Sequence, residues 1–341
     1  MPNPTAPGGH PSPQNFFDTI TAYQTTAALK GAIDLDLFTS IGDEAMTAAE
    51  AAAACRADVR GTRILCDYLV TLGFLNKQGD LFALTEDSKV FLDRKSPACL
   101  AGTMGFLLSP SITSNFADVA AAVRKGGTVA PAGGTMSVEN PVWVDFAKAM
   151  APMMAPVANA IAGLVPAAPG RKLKVLDIAA GHGIYGITIA EKHPDAEIVA
   201  VDWPGVLAVA KGNARARGVE ARYLTIGGSA FDVDLGGGYD VALITNFLHH
   251  FDPPTCETFL RRVHAALAPG GRAFTVEFVP NDDRITPPQP ARFALTMLVG
   301  TDHGDAYTFA DLDRIFRSAG FAGSELRRLD PMPSAVVISR K

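Results

Sequence analysis

The stretch Lys174–Asp202, KVLDIAAGHGIYGITIAEKHPDAEIVAVD, decides how this chain folds. It opens on Val175-Leu176-Asp177-Ile178, an apolar, β-branched run that suits a buried strand, and passes into the small-residue turn Ala179 to Gly183. A helix is predicted over 184–193, with Ile184, Ile187, Thr188 and Ala190 facing a sheet and His193-Pro194 ending it. A second strand, Glu197 to Val201, delivers Asp202 at its carboxyl end, and Trp203-Pro204-Gly205 turns the chain away. Such a βαβ unit is built to hold a nucleoside. Glycines at 181 and 183 let a ligand reach the backbone, and a carboxylate after the second strand can accept both ribose hydroxyls.

Two cofactor classes share this unit. Gly181, Gly183 and Gly186 read G-x-G-x-x-G, and Asp202 follows at about the separation expected for NAD. Asp177, inside the strand before the turn, argues the other way: Asp177-Ile178-Ala179-Ala180-Gly181-His182-Gly183 resembles the first motif of class I S-adenosylmethionine (SAM) methyltransferases, whose glycines pass close to the methionine part of the cofactor. The downstream pattern agrees. Strands are predicted at 222–226, 240–245 and 272–278, the second a continuous apolar run as in a central parallel strand. Helices are predicted at 205–217, 254–268, 290–300 and 308–319. Two last strands, about 324–329 and 335–340, flank the turn Asp330 to Ser334, and their short connection makes them antiparallel. Five parallel strands closed by an antiparallel hairpin give the seven-stranded, Rossmann-like α/β sheet of the class I methyltransferases; a NAD-type sheet lacks the hairpin.

Composition narrows the partners. The 341 residues allow two domains, with 48% hydrophobic and 19% charged residues, a formal net charge of −5 and a pI near 5.8. Scattered basic residues in an acidic chain argue against nucleic acid as a substrate. Cys55, Cys66, Cys99 and Cys256 show no C-x-x-C spacing, which fits a reduced, cytoplasmic setting and indicates no structural zinc. Residues 1–15, rich in Pro and Gly and without the apolar core of a signal peptide, are expected to be a disordered tail, and no run is long enough to span a membrane.

Residues 16–100 read as a mostly helical domain, with helices near 16–31, 46–55 and 60–73 and a hairpin over 75–84 whose turn is Lys77 to Asp80, a winged-helix outline. DNA binding is the rival reading, but the candidate recognition helix offers Arg60 and Arg63 on an otherwise apolar segment. The surplus apolar faces favour homodimerisation. Residues 101–170 are expected to be a helical linker containing the Gly/Pro-rich run 126–134, followed by Trp143, Phe146, Met150 and Met154 at helical spacing. Such a stripe is either plain core or the lining of a substrate cavity next to the cofactor domain, 171–341.

Ligands of open α/β sheets lie beyond the carboxyl ends of the strands. Those ends, with Asp177, give the expected cofactor set: Asp177, Gly181, Gly183, Asp202, Trp203, Ser229, Ala230, Phe231 and Asn246. The fourth strand leads into Asn246-Phe247-Leu248-His249-His250-Phe251-Asp252, two histidines where an acceptor would meet the cofactor's methyl group, and the fifth ends near Glu277.

With DIAAGHG at 177–183, VDWP at 201–204, LHHFD at 248–252, APGG at 268–271, VEFVP at 276–280 and GDAYTFADLDRIFRSAGF at 304–321, the chain resembles the plant-type small-molecule O-methyltransferases and their bacterial relatives that act on aromatic secondary metabolites. The resemblance implies SAM as cofactor, S-adenosylhomocysteine (SAH) as product and no metal. It implies His249 as general base, Glu277 as the glutamate orienting it, and His250 beside it in the catalytic group. Two positions depart from the family pattern. Ser229 and Ala230 stand where an aspartate and a methionine contact adenine, and Ala306 stands where a second supporting glutamate is expected, with Asp305 adjacent as a substitute. Phe293 and Met297 join Trp143, Phe146 and Met150 as expected walls of an apolar cavity for a flat acceptor. Carbon or nitrogen methylation, a NAD-dependent oxidoreductase and a SAM-responsive winged-helix regulator are the alternatives.

Overall fold

The computed structural model describes residues 11–136, 139–166 and 172–341, divided into a unit ending at Met104 and a unit beginning at Gly105. In the first unit the helices are Gln14–Ile20, Ala22–Asp34, Leu37–Ile41, Ala48–Cys55, Val59–Thr71 and Glu86–Phe91. Their starts follow capping chemistry. Thr47 and Glu50 form a reciprocal capping box, and the Asp58 carboxylate accepts from Gly61 N at 2.9 Å. Strands β1 (Met46–Thr47), β2 (Leu75–Gln78) and β3 (Leu81–Leu84) form a small antiparallel sheet in the order β1-β3-β2, closing a core of Phe38, Leu69, Leu75, Phe82 and Leu84. The expected helix over 16–31 is interrupted at Thr21 and begins at Gln14, so residues 14–15 are helical; residues 1–10 of the expected tail lie outside the described residues. On the helix read as a DNA-recognition candidate, Arg63 pairs with Asp67, which also takes Lys77, so local carboxylate balances this cationic face.

The second unit is built on seven strands: β4 (Leu173–Ile178), β5 (Ala196–Asp202), β6 (Tyr223–Gly227), β7 (Tyr239–Thr245), β8 (Leu267–Glu277), β9 (Gly323–Arg328) and β10 (Ala335–Arg340). Their order is β6-β5-β4-β7-β8-β10-β9, parallel from β6 to β8, with β10 antiparallel to both neighbours. The winding reverses between β4 and β7, so the ligand crevice of such a sheet lies where those two strands end. One apolar layer gathers Ile187, Ile198, Leu207 and Phe274, the other Leu176, Val201, Phe259 and Phe316.

Residues 105–166 belong to this unit, which corrects the reading of a linker. The helices Val142–Ala149 and Ala151–Leu164 pack on the sheet helices Pro204–Ala216 and Ile184–Lys192, and Met150, Met154, Val157 and Ile161 join the same apolar layer as Ile187. The Gly-rich run is a close-packing device. Thr128 N donates to the Thr301 carbonyl at 2.8 Å, and side chains at Gly127 and Gly134 would collide with the carbonyl oxygens of Asp302 and Gly300. No described helix is long and apolar enough to cross a membrane.

Candidate active site

The turn after β4 is held by its own backbone. Gly183 N donates to the Ala180 carbonyl at 2.8 Å, and Gly181 and Gly183 take left-handed φ of +58° and +74°. Gly183 is buried, and a Cβ there would stand 2.6 Å from the Tyr223 hydroxyl, so this glycine serves the fit of turn to sheet. Asp177 is likewise displaced from its expected role. It is fully buried, its Oδ2 accepts from Gly186 N at 3.2 Å in the first turn of the following helix, and burial holds its carboxyl well above the usual range. The room comes from Gly186, whose Cβ would lie 2.7 Å from that oxygen.

Gly181 and Asp202 lie at the carboxyl ends of β4 and β5 and are joined there. Each Asp202 oxygen accepts one backbone N–H, Oδ2 from Gly181 at 2.8 Å and Oδ1 from Trp203 at 2.7 Å, leaving each a lone pair for a further donor. Burial pushes this carboxyl up to about 6. Asn246, at the end of β7, holds a φ of +53° and donates to the Tyr185 hydroxyl at 3.4 Å, while its Oδ1 is buried without a partner among the described residues. A diol-bearing nucleoside therefore fits the available acceptors. After β6, the Ser229 hydroxyl accepts from Phe231 N at 3.2 Å, Arg262 donates to the Ala230 carbonyl at 2.7 Å, and the Phe231 ring packs against Phe247, Phe251 and Phe259.

Beyond β7 the chain forms a single 3-10 turn, Leu248–His250, with both histidines buried. Glu277, ending β8, organises it: Oε1 accepts from Phe247 N at 3.2 Å and Leu248 N at 2.9 Å, and Oε2 is hydrogen-bonded to His249 Nδ1. A carboxylate on Nδ1 fixes the proton there and presents Nε2 as the basic nitrogen. His250 is a poorer base, because burial and the adjacent His249 push it well below the ordinary histidine value. Asp305 does not replace the missing second glutamate. Its N–H donates to the His249 carbonyl at 2.9 Å, but its carboxylate accepts from Ala306 N at 2.7 Å and pairs with Arg284 at 3.4 Å.

Aromatic rings border the dyad. Phe293 meets His249 edge-on at 4.6 Å and stacks on Phe278 at 4.2 Å; Trp143 meets His250 edge-on at 5.3 Å and is anchored by donating Nε1 to the Thr135 carbonyl at 3.1 Å. Phe146 lies over Gly181, with a ring carbon 3.4 Å from where a Cβ would be, and stacks on His182. Met150 is corrected from cavity wall to core: the helix breaks there and its side chain packs beneath. Met297 is buried, and its carbonyl accepts from Thr301 N at 2.9 Å. The sequence reading missed His182 and Tyr185. His182 Nδ1 accepts from Ile184 N at 3.2 Å and burial lowers its pKa to about 4; the signal was a pair of ring side chains at 182 and 185, where the turn passes into the helix.

The chain is similar to known O-methyltransferases. An O-methyltransferase domain model matches residues 170–322 and an O-methyltransferase dimerisation domain model matches 17–94. A solved structure from Nostoc punctiforme, itself an inferred O-methyltransferase, is 51% identical, with coverage of 97% of this chain and 100% of that one at a TM-score of 0.94. The tetracenomycin polyketide synthesis 8-O-methyl transferase TcmO of Streptomyces glaucescens is 25% identical over 96% of this chain and 97% of its own. The SAM-dependent methyl transferase PigF of a Serratia species is 24% identical over 96% of both chains. These relationships and the β9–β10 hairpin set aside the oxidoreductase and the regulator. The chain belongs to the O-methyltransferase family, as a SAM-dependent enzyme of the secondary-metabolite type.

Proposed function

We propose that the enzyme methylates a hydroxyl of a small aromatic metabolite, with His249 as general base and Glu277 as the carboxylate that orients it. The observation that carries this reading is the buried His249–Glu277 pair at the strand ends where a cofactor would lie. Gly181 lets a methionine chain pass against the backbone, Asp202 accepts the ribose hydroxyls, Asn246 offers its free Oδ1 and the loop Ser229 to Phe231 borders the adenine. SAM, when bound, supplies a methyl group on a charged sulfur that is already a strong donor. What remains for the protein is alignment and proton removal.

A phenol of pKa about 10 gives up its proton to the imidazole as the methyl group moves, and a positioned base typically contributes about 10²–10⁴-fold. Glu277 holds the proton on Nδ1 and stabilises the imidazolium that forms. Trp143, Phe146 and Phe293 suit a flat ring. The acceptor hydroxyl is favoured over carbon or nitrogen because relatives such as TcmO are O-methyltransferases. The first unit is the proposed homodimer contact: helix Gln14–Ile20 buries none of its residues, and Phe16, Phe17, Ile20 and Tyr23 are at least half exposed.

Turnover of a phenolic acceptor by His249→Ala, beside calorimetric SAH binding, tests the reading. Turnover is expected to fall about 10²–10⁴-fold with affinity changed less than about threefold. Equal turnover would show that alignment alone suffices.

A further inference from the structure

Glu277 holds the side chain of His249, but a base that must meet a hydroxyl in line with a methyl group needs its backbone held as well. The turn Leu248–His250 is bonded on its carbonyl side by other parts of the chain. Cys256 Sγ donates to the Leu248 carbonyl at 3.3 Å, Asp305 N to the His249 carbonyl at 2.9 Å, and the Tyr307 hydroxyl to the carbonyl of Phe251 just beyond. The last two donors come from residues 301–308, a stretch with neither helix nor strand. What fixes that stretch is Thr301, directly after the helix Pro288–Gly300. It is fully buried, and its hydroxyl is used twice, donating to the Met297 carbonyl at 2.7 Å and accepting from Gly304 N at 2.8 Å. Its own carbonyl accepts from Thr128 N at 2.8 Å. The loop bent in this way lies tight against the base: a Cβ at Gly304 would stand 2.5 Å from the His249 carbonyl oxygen and 3.3 Å from His250 Cα.

We infer that Thr301 is a positioning residue for methyl transfer: its hydroxyl bends residues 301–305 into the loop that seats Gly304 and Asp305 on the His249 backbone, and so fixes where His249 Nε2 meets the acceptor. The inference rests on the reading of His249 as base. A threonine that only closed off its helix would make the bond to Met297, four residues back. The bond to Gly304 N is the one that reaches the base. The same helix sets Phe293 edge-on to the imidazole at 4.6 Å, so backbone and ring of His249 are placed from one element.

Thr301→Val keeps the shape of the side chain and removes the hydroxyl, leaving Gly304 N without its acceptor; Thr301→Ser keeps the hydroxyl. Turnover of a phenolic acceptor by the full chain is followed by mass spectrometry across about pH 6.5–10, with calorimetric SAH binding and a melting curve for each variant. Thr301→Val is expected to lose about 10–100-fold in kcat near neutral pH, the cost of a base displaced by about 1 Å or less, with KM and SAH affinity changed less than about threefold. The loss should shrink toward the acceptor's own pKa, where a phenolate needs no base, and Thr301→Ser should regain most of the rate. Placed on His249→Ala, Thr301→Val should cost no more than about threefold, because the group it positions is gone. A Thr301→Val rate within about threefold of wild type, a loss independent of pH, no recovery in Thr301→Ser, or the full loss repeated on His249→Ala overturns the inference. Wild-type turnover by His249→Ala alone counts against the base reading itself. Gly304→Ala drives the loop off the same carbonyl and should show the same pH-dependent loss; where melting curves find Thr301→Val unfolded, Gly304→Ala and its effect on His249→Ala decide.

Discussion

Replacing Glu277 by glutamine tests the dyad more sharply than removing the histidine. Its carboxylate is almost wholly buried and has three donors around it: two backbone N–H groups on Oε1 and the imidazole on Oε2. Glutamine keeps one acceptor oxygen. The two N–H groups of Phe247 and Leu248 claim that oxygen, which turns the amide NH₂ toward His249 Nδ1. Nδ1 must then accept, the proton moves to Nε2, and the nitrogen facing the acceptor hydroxyl is no longer a base. The equivalent tautomer error in a serine protease lowers turnover about 10⁴-fold, and about 10³–10⁴ is expected for Glu277→Gln near neutral pH. The defect should shrink as pH rises toward the acceptor's own pKa, because a phenolate needs no base. SAH affinity should change less than about threefold. The assay is methylated product by mass spectrometry across pH 6.5 to about 10, the upper limit set by phenol ionisation. Turnover within tenfold of wild type, or a defect independent of pH, would refute the tautomer argument.

Other residues give further expectations. Asp202 has a pKa raised to about 6, and its ionised form is the one able to accept two ribose hydroxyls, so SAH affinity should be flat above neutrality and fall about tenfold between pH 7 and 5, the slope of one proton. In Asp202→Asn the affinity should be weaker and lose that slope, as titration calorimetry would show. Gly186→Ala places a Cβ 2.7 Å from both Asp177 Oδ2 and Ile198 Cγ2, and should lower stability by about 1–3 kcal/mol, read as a drop of several degrees in Tm. Phe17→Asp with Ile20→Asp charges the exposed face of the first helix; light scattering should then report monomers where the wild type gives dimers.

Most of the sheet was legible because each strand carries its own signal. The run Val175–Ile178 is apolar but for Asp177, Asp240–Thr245 nearly so, and Gly320 and Pro331 to Pro333 punctuate the last elements. His249 and Glu277 follow or end adjacent parallel strands, so topology brings them together; their expected roles as base and orienting carboxylate come from the family resemblance. What escaped was packing across long separations. Glycines at 127 and 134 look like loop residues in sequence, yet they let the segment lie against the backbone of 300–302, a contact no local pattern announces. Asp177 looked like a ligand group because its position in the motif is acidic, whereas the free N–H groups of the following helix claim it first. The Trp143–Met154 stripe mixed two fates because the helix breaks at Met150, sending the methionines to the core and leaving the rings by the glycine turn.

A crystal structure of the full chain with SAH and a bound phenol is the most direct measurement of the central claim. The account predicts ribose hydroxyls on both Asp202 oxygens, the sulfur between Gly181 and His249, and the acceptor hydroxyl on His249 Nε2. A phenol whose oxygen meets neither histidine, or a ribose held away from Asp202, would contradict it.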